Sequence, residues 1–176
     1  MNSSENPEVE FVYGADQIDP VKAIDPGLVY DITKEDYLQF LCNEGYCKNE
    51  IRSVSGENIN CSSKTTGTIG DLNYPSIQLR VGGNKSFSSN FSRSVTNVGS
   101  SVSTYKAIVK GHPDLQITVN PSVLSLKSLN EKHSFVVTVT GKGLPTGSSI
   151  LSTQLVWSDG VHSVRSPVVV YTQSNP

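Results

Sequence analysis

Gln154-Leu155-Val156-Trp157-Ser158-Asp159-Gly160-Val161-His162-Ser163-Val164-Arg165-Ser166-Pro167-Val168-Val169-Val170-Tyr171 is the stretch on which the fold turns. Two valine-rich runs flank Asp159-Gly160. An Asp-Gly pair between such runs is the strongest short-range signal of a β-hairpin, since Gly takes the positive φ that a tight turn requires. Pro167 lacks an N–H, so its place in the second strand is expected to be an edge or a bulge. Trp157 is the only tryptophan. Its main reading is a structural side chain filling the interior, where it brings more area than any other residue; stacking on a sugar or a partner is the lesser one.

Upstream of the hairpin the same period of two repeats. Ile77, Leu79 and Val81 alternate with polar neighbours, as do Phe91, Arg93 and Val95, and Tyr105 to Val109 forms a further run. More strands are expected at Leu115 to Asn120, Val123 to Leu126 and Phe135 to Thr140, where Phe135, Val137 and Val139 share a face. About seven or eight short strands with turn signals between them define an antiparallel β-sandwich of about 100 residues, placed at 71–174. Gly27, Gly99 and Gly160 are read as tight-turn backbone devices that need no ligand, the first and last following the turn-forming Pro26 and Asp159.

Before Asp71 the pattern is different. Residues 1–10 are polar and aperiodic and are expected to be disordered. Asp19-Pro20 reads as a cap followed by Pro at the first helical position, giving one turn over Val21 to Ile24 that Asp25-Pro26-Gly27 ends. Thr33 with Asp36 three residues on resembles a capping box, opening a helix with Tyr37, Leu38, Phe40 and Leu41 on its apolar stripe. Lys48 to Ser53 is a second, shorter helix with Ile51 inward, and 54–70 is a polar loop. Residues 11–70 therefore form a linker and small helical segment.

Composition narrows the function classes. The 176 residues carry a net charge of -2, which leaves no electrostatic footprint for nucleic acid or an anionic membrane. No apolar run reaches membrane-spanning length, and the start Met1-Asn2-Ser3-Ser4-Glu5-Asn6 has neither the basic nor the apolar part of a signal peptide. His112, His133 and His162 share no ligand spacing, and no Cys or His pair completes a metal set, so neither metal nor cofactor is expected. With 26 serines, a stray Ser near a His carries little weight, and the histidines are read as exposed or satisfied structural residues. Cys42, Cys47 and Cys61 are an odd set: one thiol is left over whichever pair forms, and three reduced thiols remain the alternative.

Four groups of residues add a resemblance. Phe11-Val12-Tyr13-Gly14-Ala15 running on to Asp25-Pro26-Gly27-Leu28-Val29-Tyr30-Asp31 comes first; Asp71-Leu72-Asn73-Tyr74-Pro75-Ser76, Val95-Thr96-Asn97-Val98-Gly99 and Trp157-Ser158-Asp159-Gly160 follow. In this order they resemble the C-terminal third of plant subtilisin-like serine proteases of the cucumisin-like family, over roughly residues 11 to 172. That resemblance implies a fibronectin type III-like domain. It also favours a Cys42–Cys61 disulfide with Cys47 left over, which would stabilise the fold by about 3 kcal/mol in an oxidising compartment.

In that family the catalytic Asp, His and Ser lie upstream of the Tyr-Gly-Ala word, and only ten residues precede Phe11 here. Gly-Thr-Ser, His-Gly and Asp-Thr-Gly words are absent. The expectation is a non-catalytic C-terminal fragment of an extracellular serine endopeptidase, supporting its fold, substrate cleft or subunit contacts. Its expected partner is the subtilase catalytic domain, in cis in full-length relatives, or a second copy in a homodimer. The resemblance places the family in the apoplast, although nothing in this chain directs it there. Alternatives are a stand-alone protein-binding sandwich module and a truncated gene product without selected activity. Sequons stand at Asn2, Asn60, Asn84 and Asn90, while Pro121 disqualifies Asn120. Asn60, Asn84 and Asn90 fall in expected loops or strand starts and are the glycosylation candidates.

Overall fold

The structure, a computed structural model, describes residues 9–15, 17–61, 67–145, 147 and 149–172. The disorder expected for 1–10 falls, for residues 1–8, outside the described residues. Val9 and Glu10 are described, and Glu10 opens a helical turn, α1 (Glu10–Tyr13). In α2 (Pro20–Ala23) the Asp19 carboxylate accepts from the N–H groups of Val21 and Lys22. Pro20 stands where its missing N–H would have had no helical partner.

β1 (Leu28–Val29) is a strand that alternation did not reveal, since two residues are too few to show a period. α3 (Lys34–Asn43) starts on the expected reciprocal box: Thr33 Oγ1 accepts from Asp36 N–H, and the Asp36 carboxylate accepts from Thr33 N–H at 2.8 Å. α4 (Lys48–Ser55) follows. These two helices bury Leu38, Cys42 and Ile51 against Leu41, Ile59 and Cys61, a small core separate from that of the sandwich. Cys42 and Cys61 are joined across it, with Cα atoms 5.4 Å apart, and Cys47 is free and exposed.

After a short 3-10 turn, Ile69–Asp71, come β2 (Ile77–Arg80), β3 (Phe87–Asn97), β4 (Ser103–Val109), β5 (Leu115–Asn120) and β6 (Val123–Leu126). β7 (Lys132–Gly141), β8 (Ile150–Ser158) and β9 (Ser163–Tyr171) complete the chain. One sheet has the order β1-β3-β7-β5 and the other β2-β9-β8-β4-β6, so the fold is a mainly antiparallel β-sandwich. One pairing is parallel, β2 on β9, with Ile77 opposite Val168. Between the sheets Tyr105, Phe135, Leu155 and Trp157 are almost wholly buried, and Leu28 of β1 joins the same core. Each large side chain removed from water in this way contributes about 1.5–3 kcal/mol.

The β8–β9 hairpin is present, but its connection is longer than the Asp-Gly pair suggests. Ser158 and Ser163 are its last partners, leaving a four-residue loop, 159–162. Asp159 Oδ1 accepts from the N–H groups of Val161 and His162, and this side-chain turn replaces a two-residue one. Pro167 pairs with Gln154 on β8, while the β2 pairing starts only at Val168, so one side of Pro167 faces no strand. Its missing N–H costs nothing there.

Residues 9–15 and 17–25 form a strap ahead of β1 that touches the second sheet. Glu10 pairs with Arg165 at 3.2 Å and accepts from Ser152 Oγ, Arg165 also donates to the Ala15 carbonyl, and Phe11 meets the Tyr171 ring edge-on. Val169 points outward by alternation and is nevertheless only 5% exposed, because β9 is covered on both faces.

Candidate functional site

The four sequence words converge on two hydrogen-bonded seams. The first begins at Asp71, whose carboxylate accepts from Thr68 N–H and from Ser92 N–H of β3. Two residues on, the Asn73 amide donates to the carbonyls of Asp31 and Ser94 and accepts from Ser94 N–H, all at 2.8–2.9 Å. Arg93, a strand residue pointing inward, is buried and finds carbonyls in place of a carboxylate: Nε donates to Tyr74, Nη1 to Gly70 and Ser92, and Nη2 to Ser76. Desolvation pulls the Arg93 pKa below its ordinary value, with Tyr30 and Asp71 opposing it. Desolvation also pushes the Asp71 carboxyl upward, but its hydrogen bonds outweigh that and leave it below the usual range. Tyr30, just after β1, and Ser166 of β9 share a hydrogen bond at 2.8 Å, and burial raises the Tyr30 pKa. The seam ties the approach to β2, the middle of β3 and the segment after β1 into one unit.

The second seam lies at the hairpin end. Asn97 is fully buried and donates to the carbonyls of Ser100 and Ser128. The Gly27 carbonyl accepts from Val98 and Gly99 N–H. Gly27 has φ 77, and a Cβ there would fall 2.5 Å from Tyr105 Oη and 2.7 Å from His162 Cγ. Gly99 corrects its expectation as a turn device: a Cβ there would lie 3.0 Å from Gly27 Cα, so it is needed for close approach of two backbones.

Against these glycines sits His162, 9% exposed at its side chain, with Nδ1 2.9 Å from Asp159 Oδ2 and Nε2 3.2 Å from Asp25 Oδ2. Those two hydrogen bonds raise the His162 pKa. Burial alone would raise Asp159, but hydrogen bonds from the His162 side chain and from the backbone N–H of His162 and Val161 hold it at about 2. Burial and the neighbouring Asp159 carboxylate push Tyr105 far up, so its phenol stays protonated. Sequence reading missed this cluster, because Asp25 and His162 lie on distant segments with no shared spacing.

His112 lies 3.9 Å from Asp114, and His133 is 2.8 Å from Glu131. Among the described residues, none of the three histidines has a serine hydroxyl as hydrogen-bond partner, and no group of three His, Cys, Asp or Glu could hold a metal ion. Trp157 is fully buried with its ring 5.0 Å from that of Phe135, edge to face. Asn84 stands exposed in the turn between β2 and β3; Asn90 is exposed on β3, its Oδ1 accepting from Thr138 Oγ1. Asn60 is exposed, while the last residue of its sequon, like the Asn2 sequon, lies outside the described residues. An open groove of about 1120 Å³, lined by Phe40, Leu72, Tyr74, Leu79 and Tyr171 among others, runs between the helical segment and β2.

The two sheets form a β-sandwich. Residues 71–170 match the fibronectin type-III domain, and the chain belongs to that family. Among individual proteins it is 50% identical over 173 residues to subtilisin-like protease SBT4.3 of Arabidopsis thaliana, covering 98% of this chain and 23% of that protein. Subtilisin-like protease SBT4.6 of the same plant is 50% identical over 175 residues, covering 97% and 24%. The chain therefore spans about a quarter of the length of the curated relatives it matches. A FixG-related protein from Vibrio parahaemolyticus superposes with a TM-score of 0.40 at 15% identity, over 49% of this chain and 80% of that one.

Proposed function

We propose that this chain is a non-catalytic C-terminal part of a subtilisin-like serine endopeptidase, with residues 11–70 as the segment that meets the catalytic domain and 71–174 as the fibronectin type III-like unit. The observation that carries the reading is the match itself: nearly all of this chain aligns with about a quarter of subtilisin-like proteases at 50% identity. The seams support it, because the words that carry the likeness are occupied in holding the sandwich together. Phe11, Val12, Ile18, Val21 and Ile24 on the strap are 51–88% exposed, an apolar row suited to a cover in cis. On this reading the isolated chain does not cleave peptide bonds, the family acts outside the cell, and Asn60, Asn84 and Asn90 are the acceptors for glycans.

The experiment has two arms. The isolated chain is incubated with peptide substrates and a fluorophosphonate probe; neither hydrolysis nor serine labelling is expected, and stoichiometric labelling of any serine would overturn the reading. In the second arm the matching quarter of SBT4.3 is deleted, or replaced by this chain. Loss of folded, active enzyme on deletion and its recovery on replacement are expected; full activity of the deletion would remove the supporting role.

A further inference from the structure

We propose that Asp25, His162 and Asp159 form a proton-operated latch that holds the segment before β1 on the β8–β9 hairpin, and that loss of the His162 proton releases it at Asp25. Both imidazole nitrogens face a carboxylate oxygen, Nδ1 at 2.9 Å from Asp159 and Nε2 at 3.2 Å from Asp25. A neutral imidazole has one N–H and one lone pair, so only the imidazolium donates to both. On deprotonation one nitrogen turns its lone pair toward a carboxylate, and one of the two contacts fails.

Burial and hydrogen bonding decide which. Asp159 is 10% exposed at its side chain and is held by the backbone N–H of Val161 and His162, so it has nowhere to go. Asp25 is 67% exposed and sits on a surface segment. Gly27 and Gly99 lie so near the ring that a Cβ added to either would meet it, 2.7 Å from Cγ and 3.4 Å from Cε1, which closes that side to the imidazole. Tyr105 of β4 is the remaining described titratable group at the imidazole, 3.4 Å from Nδ1, and its phenol stays neutral. The proton therefore leaves Nε2 for solvent, Nδ1–H stays on Asp159, and Asp25 is freed. The Gly27 carbonyl keeps its bonds from Val98 and Gly99, so the movement is confined to the chain before it. The end of the strap next to Asp25, which carries the exposed Val21 and Ile24, is thus mobile at one pH and pinned at another, while Glu10, Phe11 and Ala15 stay fastened.

The test is a pH titration of the chain by 15N NMR. Below the His162 midpoint both ring nitrogens should be protonated, with amide order parameters for Val21 to Asp25 near about 0.85; above it they should fall below about 0.6 while Leu28 stays rigid. In the Asp25→Ala variant, which removes the acceptor at Nε2 and leaves the buried His162–Asp159 pair intact, the order parameters should be low at both pH values and the His162 midpoint should drop. Order parameters that do not change across the midpoint, wild-type behaviour in Asp25→Ala, or a retained proton on Nε2 would each overturn the latch.

Discussion

At the scale of single residues, two glycines in the same family words differ in what they tolerate. Gly27 combines φ 77 with no space for a Cβ, whereas Gly160 has φ 95 and open space around it. Gly27→Ala is expected to cost about 3 kcal/mol or more, through strain plus the clash with Tyr105 and His162, and Gly160→Ala only about 1 kcal/mol. Urea unfolding of both variants checks this, and equal losses would show that backbone strain alone matters. Asn73→Ala removes three hydrogen bonds and strands two carbonyls and an N–H in a half-closed seam, for an expected loss of roughly 2–4 kcal/mol. A loss below about 0.5 kcal/mol would mean water replaces the amide.

The His162 pair also gives stability a pH profile whose sign follows from the two shifts. Asp159 is depressed, so its contribution is complete above the unfolded value of 3.8 and is lost as pH falls toward 2. His162 is raised, so its contribution is complete below the unfolded value of 6.5 and is lost as pH rises through the folded one. Both are present together between those unfolded values. The stability difference between wild type and His162→Gln is expected to be largest in that window and to shrink on either side. A difference independent of pH would refute the ion pair.

At the scale of elements, α3 and α4 depend on a core of three buried residues and one covalent link. Converting both Cys42 and Cys61 to alanine opens a loop of sequence separation 19, worth about 3 kcal/mol in the chain-entropy account. Because this core is separate from that of the sandwich, the loss should appear as faster hydrogen exchange in residues 34–55, with β3, β7 and β8 unchanged. In the oxidised wild type, peptide mapping should recover Cys42 linked to Cys61 with Cys47 alkylated; a Cys42–Cys47 link would contradict the pairing. Much at this scale was readable in advance. Thr33 with Asp36 announced α3, and the inward set Phe135, Val137 and Val139 announced β7, because caps and alternation are local. β1 was not readable: Leu28–Val29 becomes a strand only because β3 is there to pair with it.

At the scale of the molecule, the strap and the sandwich should behave differently. Hydrogen exchange is expected to be slowest in the central strands and fastest in residues 9–25, where apolar side chains are exposed and contacts are few. The isolated chain should self-associate through that strap, and Ile18→Ser with Val21→Ser should suppress it in analytical ultracentrifugation. Self-association undiminished by these changes would place the contact elsewhere.

The sequence by itself determined the class of fold, because period-two alternation, the Asp-Gly turn and the helix caps act between neighbours a few residues apart. It also carried the family likeness, in words that each occupy only a few positions. Tertiary structure alone decided which strands meet. Of the described pairings, β8–β9 is the one between consecutive strands; the others, including the parallel β2–β9 pair, join segments that alternation cannot relate. It also decided why the words exist. Arg93 is satisfied by carbonyls from the Gly70–Ser76 stretch, and His162 by a carboxylate 137 positions away. Hydrogen bonds and ion pairs have a reach of about 3 Å in space and none along the chain, so their partners become visible only once the two sheets have closed.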